Sequence, residues 1–191
     1  IEEANGRLMP KRIENLKENI LRQAKTALLE NGYNALTMRG VANACGVAVG
    51  TVYNYYPSKE LLAASAILED WRSALAGMER ACLCAKSVEE GLVTVYDGVA
   101  SFNGLYRAVW TGYTFNNSQQ AEFAARHRAL ARQLAACLAP LLARFLPGAP
   151  HGTDVFFAEN ILICAGNSEL TFEAFLRVIA PLLANNKTNI S

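Results

Sequence analysis

Apolar residues recur at steps of three and four positions along most of this 191-residue chain, and that spacing is the period of an amphipathic α-helix. The first such stretch predicts a helix over residues 12–31 that ends at Asn31-Gly32, a pair typical of helix ends. Its apolar positions are Ile13, Leu16, Ile20, Ala24, Ala27 and Leu28. The second half of the chain shows no alternation of the kind found in strands, so the pattern predicts an all-α fold.

Two short helices are predicted to follow the first one. Thr37 is placed to cap a helix over residues 38–45, and a second short helix covers residues 49–55. Gly46 lies between them, where a sharp connection between helices needs the positive φ that glycine accepts. Two short helices joined in this way form a helix-turn-helix, which places one helix in the DNA major groove.

The remainder of the chain keeps the helical period. A long helix is predicted to begin after Pro57-Ser58 and to reach about Ala85. Breaks are expected at Asn103-Gly104, at Asn116-Asn117, at 147–150 and near Asn167-Ser168. One long helix that contains Pro140 has an apolar stripe made of Phe123, His127, Leu130, Leu134, Cys137, Leu138, Leu141 and Phe145. Two shorter helices, one from Asp154 and one from Thr171 to Leu183, complete the fold, and a polar tail follows.

Composition narrows the classes of function. No uninterrupted apolar run approaches the roughly 20 residues that span a bilayer, and the first residues are polar, so we expect a cytoplasmic protein without a membrane partner. The five cysteines are scattered and are expected to be buried thiols. With two histidines, no metal-ligand spacing and no nucleophile or phosphate-loop motif, the sequence predicts neither an enzyme nor a bound metal or cofactor.

Charge is distributed unevenly behind a formal net charge of +1. Residues 11–59 carry seven Lys and Arg against three Glu, whereas residues 60–191 carry ten basic against twelve acidic side chains. A polyanion such as double-stranded DNA would therefore meet the N-terminal segment first.

Residues 13–62 resemble the DNA-binding domain of the tetracycline-repressor (TetR) family. The positions that carry the resemblance are Gly32-Tyr33, Thr37, Gly46-Val47, Gly50-Thr51, Tyr53, Tyr55-Tyr56, Lys59-Glu60 and Leu62. The resemblance covers about a quarter of the chain. It implies a three-helix DNA-binding domain over residues 11–57, a helical effector-binding and dimerisation domain over residues 58–185, and a flexible tail over residues 186–191. Two positions depart from the family pattern, since Gly40 is often acidic there and Ala48 is often a serine cap.

By resemblance, the DNA contacts are Thr37, Arg39, Val49, Gly50, Thr51, Tyr53, Asn54, Tyr55 and Lys59. Asn54 is the side chain best suited to read a base edge, because its amide can pair with adenine. Lys59 opposes the dipole of the helix it begins, which suits a nearby phosphate. For Tyr53 and Tyr55 the alternative is packing within the small domain, and Tyr56 is expected to pack.

The resemblance also implies a homodimeric repressor that binds a palindromic operator and is released by a small apolar or aromatic effector. The expected dimer residues lie on the last two helices and are Phe156, Ile163, Phe172, Phe175, Ile179 and Leu182. The expected effector site is rich in aromatic side chains and comprises Trp71, Met78, Tyr96, Phe102, Asn103, Tyr106, Trp110, Phe123 and His127. For each of these the alternative is ordinary core packing, with His127 bonded to a backbone carbonyl. The alternative function is a DNA-binding protein of the same fold that senses no ligand.

Overall fold

The computed structural model describes residues 15–107, 109, 120–166 and 169–185, and every regular element within those ranges is an α-helix. In chain order the helices are α1 (Leu16–Ala35), α2 (Met38–Cys45), α3 (Val49–Tyr55), α4 (Lys59–Cys84), α5 (Val88–Leu105), α6 (Gln120–Phe145), α7 (Thr153–Ala165) and α8 (Phe172–Asn185). The all-α prediction is confirmed. None of the helices in the described ranges is long and apolar enough to cross a bilayer.

The chain divides into two compact units, and the division falls between Ala66 and Ile67, inside α4. The boundary predicted at residues 57 and 58 coincides instead with the start of α4. The difference arises because the first turns of α4 bury Leu62, Ala63 and Ala66 in the first unit. This unit therefore needs the beginning of α4 to complete its core.

The first unit packs α2 against both α1 and α3. Its core is aliphatic and includes Ile20, Ala24, Leu28, Leu36, Val41 and Val52. The predicted bounds of the two short helices are confirmed. The predicted stop at Asn31-Gly32 marks a real irregularity, since Gly32 has φ 75° and ψ 176°, but α1 resumes beyond it to Ala35. The predicted start at residue 12 lies outside the described residues.

The second unit is built on α5, α6 and α7, which pack against one another, with α8 against α5 and α7. Its core includes Val95, Leu134, Leu138, Leu141 and Ile161. Pro140 sits inside α6, and the helix continues through it. The predicted break at residues 147–150 is confirmed as the connection between α6 and α7.

One predicted break in the second unit is displaced by one residue, since α5 ends at Leu105, directly after Gly104. The structure carries α5 through Asn103-Gly104 to Leu105. Asparagine favours breaks when its side chain competes for nearby backbone groups, whereas the Asn103 amide instead donates to the carbonyl oxygen of Ala165, 3.1 Å away. The breaks expected at Asn116-Asn117 and at Asn167-Ser168, and the tail beyond Asn185, lie outside the described residues.

Candidate nucleic-acid interface

The turn between α2 and α3 is set by local backbone chemistry. Thr37 begins α2 as its N-cap, with Oγ1 accepting the N–H of Gly40 at 3.0 Å. Gly46 ends α2 in the left-handed region, at φ 68°. The N–H groups of Gly46 and Val47 then reach back to the carbonyls of Asn43 and Ala42 at 3.1 and 3.0 Å, the paired bonds of a Schellman motif. These bonds fix the direction in which the chain enters α3.

Helix α3 is held by one buried face. Val52 is fully buried, and Tyr56, directly after the helix, is 4% exposed, as expected for a packing residue. The side chains of Val49, Tyr53 and Tyr55 are 37, 48 and 43% exposed. Asn54 is exposed as well. Tyr53 and Tyr55 therefore lie at the surface of the first unit.

No packing contact or backbone conformation within the chain explains why position 50 is a glycine. A Cβ added at this position would meet no heavy atom within 4 Å, and the residue is exposed. Glycine inside a helix costs roughly 0.5–1 kcal/mol relative to alanine. Since neither packing nor a positive φ requires glycine here, the first unit loses stability without any gain visible within the chain. A close approach by another molecule would supply the reason.

Lys59 begins α4 beside an aromatic ring and a carboxylate. Its Nζ lies 4.3 Å from the centroid of the Tyr33 ring, within the range of a cation–π contact. The Tyr33 hydroxyl donates to Oε1 of Glu60 at 3.1 Å, and Ser58 Oγ caps the helix by accepting the N–H of Leu61 at 3.2 Å. Hydrogen bonds from its own backbone N–H, from Ser58 and from Tyr33 hold the pKa of Glu60 below its usual value. The cation is thus positioned by Tyr33, a role that the sequence did not assign.

The nine predicted DNA contacts all occupy accessible positions of the first unit. Thr51 and Lys59 are half-buried and the other seven are exposed. They come from the start of α2, from α3 and from the start of α4. Ala48 stands at the N-cap of α3 with φ −67° and ψ 145° and offers no side-chain bond, as the departure from the serine pattern implied.

In the second unit, three of the predicted effector-site aromatics contact one another. The ring centroids of Trp71 and Phe102 are 5.1 Å apart, and those of Phe102 and Tyr106 are 5.2 Å apart. Met78 is also buried, and it lies close enough to Gly98 that a Cβ there would meet its side chain at 2.6 Å. Tyr96 belongs to a different contact, since its ring is stacked on Phe172 at 4.0 Å. Trp110 and the side chain of Phe123 lie outside the described residues.

The polar atoms of this aromatic group have partners within the chain. Trp71 Nε1 donates to Gln133 Oε1 at 2.6 Å, and the Tyr106 hydroxyl donates to Asp70 Oδ2 at 2.8 Å. Burial, reinforced by Asp70, raises the pKa of Tyr106 well above its ordinary range. Neither partner could be predicted from the sequence, because each lies 36 or more residues away along the chain.

His127 has a carboxylate partner. Its Nε2 lies 2.6 Å from Glu159 Oε2 on α7, and both side chains are about one-third exposed. The expected alternative to a ligand role was a backbone carbonyl, and the structure supplies a side chain from another helix instead. This contact ties α6 to α7 at the surface of the second unit.

The predicted dimer residues separate into two groups. Phe156 and Ile163 on α7 are 51 and 44% exposed. Phe172, Phe175 and Ile179 on α8 are buried in the core of their own chain. The side chain of Leu182 lies outside the described residues. On these two helices, the exposed large apolar residues that the prediction did not include are Val155 and Val178.

A short helix presented on a glycine-closed turn, with its polar and aromatic side chains exposed, defines the first unit as a helix-turn-helix module. Residues 20–66 match the model of the bacterial regulatory proteins of the tetR family. It is 35% identical over 60 residues to the transcriptional regulator UidR of Escherichia coli K12, covering 31% of each chain. It is 39% identical over 67 residues to the transcriptional repressor KstR of Mycolicibacterium smegmatis, covering 35% of this chain and 33% of that one.

The chain thus spans about a third of the length of these curated relatives. Solved structures extend the likeness of the fold to most of the chain. A TetR-family regulator from Agrobacterium tumefaciens aligns over 90% of this chain and 97% of its own, with a TM-score of 0.52 and 18% identity. The fatty acid degradation regulator FadR from Bacillus halodurans aligns over 92 and 100%, with a TM-score of 0.53 and 18% identity. The helical second unit is therefore part of a shared fold.

Proposed function

We propose that this protein is a TetR-type transcriptional repressor that binds DNA by inserting α3 into the major groove. The accessible side of α3 carries the proposal, because Val52 anchors the helix while Tyr53, Asn54 and Tyr55 remain accessible. Asn54 would read a base edge, with Val49 and Thr51 contributing to sequence preference. The hydroxyls of Tyr53 and Tyr55 would contact phosphates, which fix the register of the helix.

The N-terminal ends of the helices supply the remaining contacts. Thr37 and Arg39 lie at the start of α2, and Lys59 lies at the start of α4. Backbone N–H groups at a helix N-terminus favour a nearby anion, and Lys59 adds a positive charge held by the Tyr33 ring. Gly50 would allow α3 to approach the sugar-phosphate chain without a side chain between them. Repression is favoured over activation by the likeness of this domain to KstR, which is named a repressor.

A single helix-turn-helix reads only a few base pairs, so we propose a homodimer on a palindromic operator, with half-sites about one helical turn apart. Phe156 and Ile163 would contact the partner, because these large apolar side chains are exposed on α7. Phe175 lies next to Phe156, with 6.1 Å between the two ring centroids. In this proposal the buried side chains of Phe172, Phe175 and Ile179 on α8 support that surface from inside the second unit.

We propose that an apolar or aromatic effector enters the second unit beside Trp71, Phe102 and Tyr106, within the predicted set that also includes Met78, Tyr96, Asn103, Trp110, Phe123 and His127. An effector there would exchange contacts with Gln133 or Asp70 for contacts of its own. Asp70 and Trp71 lie on α4, the helix that begins in the first unit. A ligand that shifts these residues therefore acts on the helix that also carries Lys59.

A second candidate is a DNA-binding protein of this fold that senses no ligand. It is favoured because the polar atoms of the predicted sensing residues already have partners within the chain. Trp71, Asn103, Tyr106 and His127 each have a partner at 2.6–3.1 Å. An effector would have to compete with bonds already made.

The test is the affinity of the purified protein for the DNA flanking its own coding region, measured at two salt concentrations with and without a panel of aromatic and acyl compounds. Salt-dependent, sequence-specific binding that one compound abolishes supports the ligand-responsive repressor. Specific binding that no compound changes supports the second candidate. Equal affinity for the flanking DNA and for random DNA contradicts an operator in that region.

Two variants assign roles at the interface. Asn54→Ala should relax discrimination at one base step, because it removes the amide that reads the base. Lys59→Ala should weaken binding to specific and random DNA alike and reduce the slope of log K against log salt by about 0.9, the value for one phosphate contact. Equal losses on both DNAs for Asn54→Ala would refute its role as a base reader. An unchanged salt slope for Lys59→Ala would do the same for the phosphate contact.

A further inference from the structure

Two buried cysteines of the second unit lie in contact, and the proposed DNA-binding function uses neither. Cys82 Sγ on α4 is 3.8 Å from Cys137 Sγ on α6. The residues are 1 and 3% exposed, and both are free thiols. The other cysteines on α2 and α7, Cys45 and Cys164, are buried free thiols too, and Cys84 is exposed. Sequence spacing had given no reason to pair any of the five.

Arg144 holds the two helices together at this point. Its guanidinium lies two turns along α6 from Cys137, so both side chains are on the same face of the helix. Nη1 donates to the carbonyl oxygen of Leu83 at 2.7 Å, and Nη2 donates to the carbonyls of Cys82 and Ala85. Cys82 and Leu83 lie in the last turn of α4 and Ala85 directly follows the helix. Carbonyls at a helix C-terminus have no partner within the helix. The thiols are thus kept in contact by a restraint that does not involve sulfur.

The two sulfurs are chemically unequal. The Cys137 thiol donates its hydrogen to Cys82 Sγ. This hydrogen bond is the main cause that lowers the pKa of Cys82, and the positive charge of Arg144 acts in the same direction against the effect of burial. The same hydrogen bond and burial raise the pKa of Cys137. The thiolate is the nucleophilic form of cysteine, and the lowered pKa favours that form at Cys82.

We propose that Cys82 and Cys137 are a redox-modification site at which a peroxide forms an intramolecular disulfide between α4 and α6. The Cys82 thiolate attacks one peroxide oxygen and the O–O bond breaks, which forms a sulfenic acid at Cys82. The other oxygen leaves with the bonding electrons and takes up the proton that the Cys82 thiol had released, giving water or an alcohol. Cys137 sulfur then attacks Cys82 sulfur, the S–O bond breaks, and water departs with the Cys137 proton. The two sulfurs are oxidised and the peroxide is reduced. A thiol restores the pair by exchange.

The position of Cys82 near the end of α4 would allow the two sulfurs to come closer together. A disulfide requires about 2.0 Å between sulfurs, so the observed contact must shorten. Cys82 lies in the last turn of α4, which ends at Cys84, and helix ends rearrange more readily than helix centres. Disulfides that form in reducing compartments are characteristically transient and redox-sensing.

The test exposes the fully reduced, folded protein to hydrogen peroxide, blocks the remaining thiols with an alkylating agent, and maps the peptides by mass spectrometry. We expect loss of two of the five thiols and a peptide that joins Cys82 to Cys137, both reversed by dithiothreitol. Oxidation of Cys84 with the buried pair still reduced would overturn the proposal, and so would a linkage between chains. This readout does not depend on DNA, so its failure leaves the proposed function untouched.

Two variants test which cysteines form the disulfide. Cys84→Ser changes the exposed cysteine on the same helix and should leave the linked peptide intact. Cys137→Ala should abolish the linked peptide and leave Cys82 as a sulfenic acid or a higher oxide. If Cys137→Ala does not fold, the peptide map of the wild-type protein decides alone. If Cys137→Ala instead forms a disulfide that involves Cys84, the contact between Cys82 and Cys137 does not determine which cysteines pair.

Discussion

Replacing Gly50 by alanine should raise the stability of the first unit and lower its affinity for DNA. Gly50 lies in the first turn of α3, and an added Cβ meets nothing within 4 Å. Alanine therefore gains up to about 0.5–1 kcal/mol through reduced backbone entropy in the unfolded chain. If α3 lies against the sugar-phosphate chain, the same methyl group intrudes into a packed contact. Overpacking of that kind costs roughly 1–3 kcal/mol.

The two effects are measured separately. Urea denaturation followed by circular dichroism reports stability, and fluorescence anisotropy with labelled operator DNA reports affinity. The expected loss of affinity is about 5- to 150-fold, the range that corresponds to 1–3 kcal/mol. Gly77→Ala is the matched control, because Gly77 is helical, lies in the second unit, and also has open space at Cβ. It should gain stability and keep its affinity for DNA.

The changes in stability and in DNA affinity of Gly50→Ala together test whether another molecule approaches this position. A Gly50→Ala protein that is more stable and binds operator as tightly as wild type would show that no molecule approaches this position closely. A loss of stability would show instead that the glycine serves the fold. Only a gain in one measurement with a loss in the other agrees with a recognition helix that lies against a DNA backbone.

Three further outcomes follow from the same structure. Ala48→Ser should stabilise the first unit by about 1 kcal/mol in urea denaturation, because the N-cap backbone is already extended and a hydroxyl supplies the missing bond; the exposed helical control Ala44→Ser should not. Burial and Asp70 raise the folded-state pKa of Tyr106 above its unfolded value, so its contribution to stability is complete below about pH 10. Above that pH the tyrosine of the unfolded chain ionises, so the free energy of unfolding of the wild type should fall by up to about 1.4 kcal/mol per pH unit relative to that of Tyr106→Phe. If the unfolding free energies of the two proteins depend on pH in the same way, the raised pKa of Tyr106 is contradicted. Phe156→Asp should shift a homodimer to monomer in sedimentation velocity without unfolding it, and an intact dimer would exclude this face of α7 as the interface.

Helices whose ends are determined by neighbouring residues could be predicted from the sequence. The bounds of α2 and α3 are confirmed because each end depends on chemistry within a few residues, such as the Thr37 cap and the left-handed Gly46. The burial of Tyr56 and the accessibility of Tyr53 followed from the same local pattern.

Contacts between distant segments could not be predicted in the same way. Tyr96 and Phe172 were expected in separate sites, one for an effector and one for a dimer, yet their rings stack 4.0 Å apart. The partners of Trp71 and His127 lie 62 and 32 residues away. Periodicity shows that a side chain faces inward, but the helix that it meets there depends on the packing of the whole unit. The same limit applies to the end of the first unit at Ala66, which depends on the burial of residues on α4.

The missing side-chain cap at Ala48 has a consequence for motion as well as for stability. Helix α3 has seven residues and a single fully buried side chain, Val52, and helices of that length are marginal without tertiary support. Its amide protons should therefore exchange with solvent through local opening, at a lower free energy than those in the middle of α1. Ordering this helix is then part of the free energy of DNA binding. A protein that spends less of its time with α3 open would associate with the operator more readily, even with every contact unchanged.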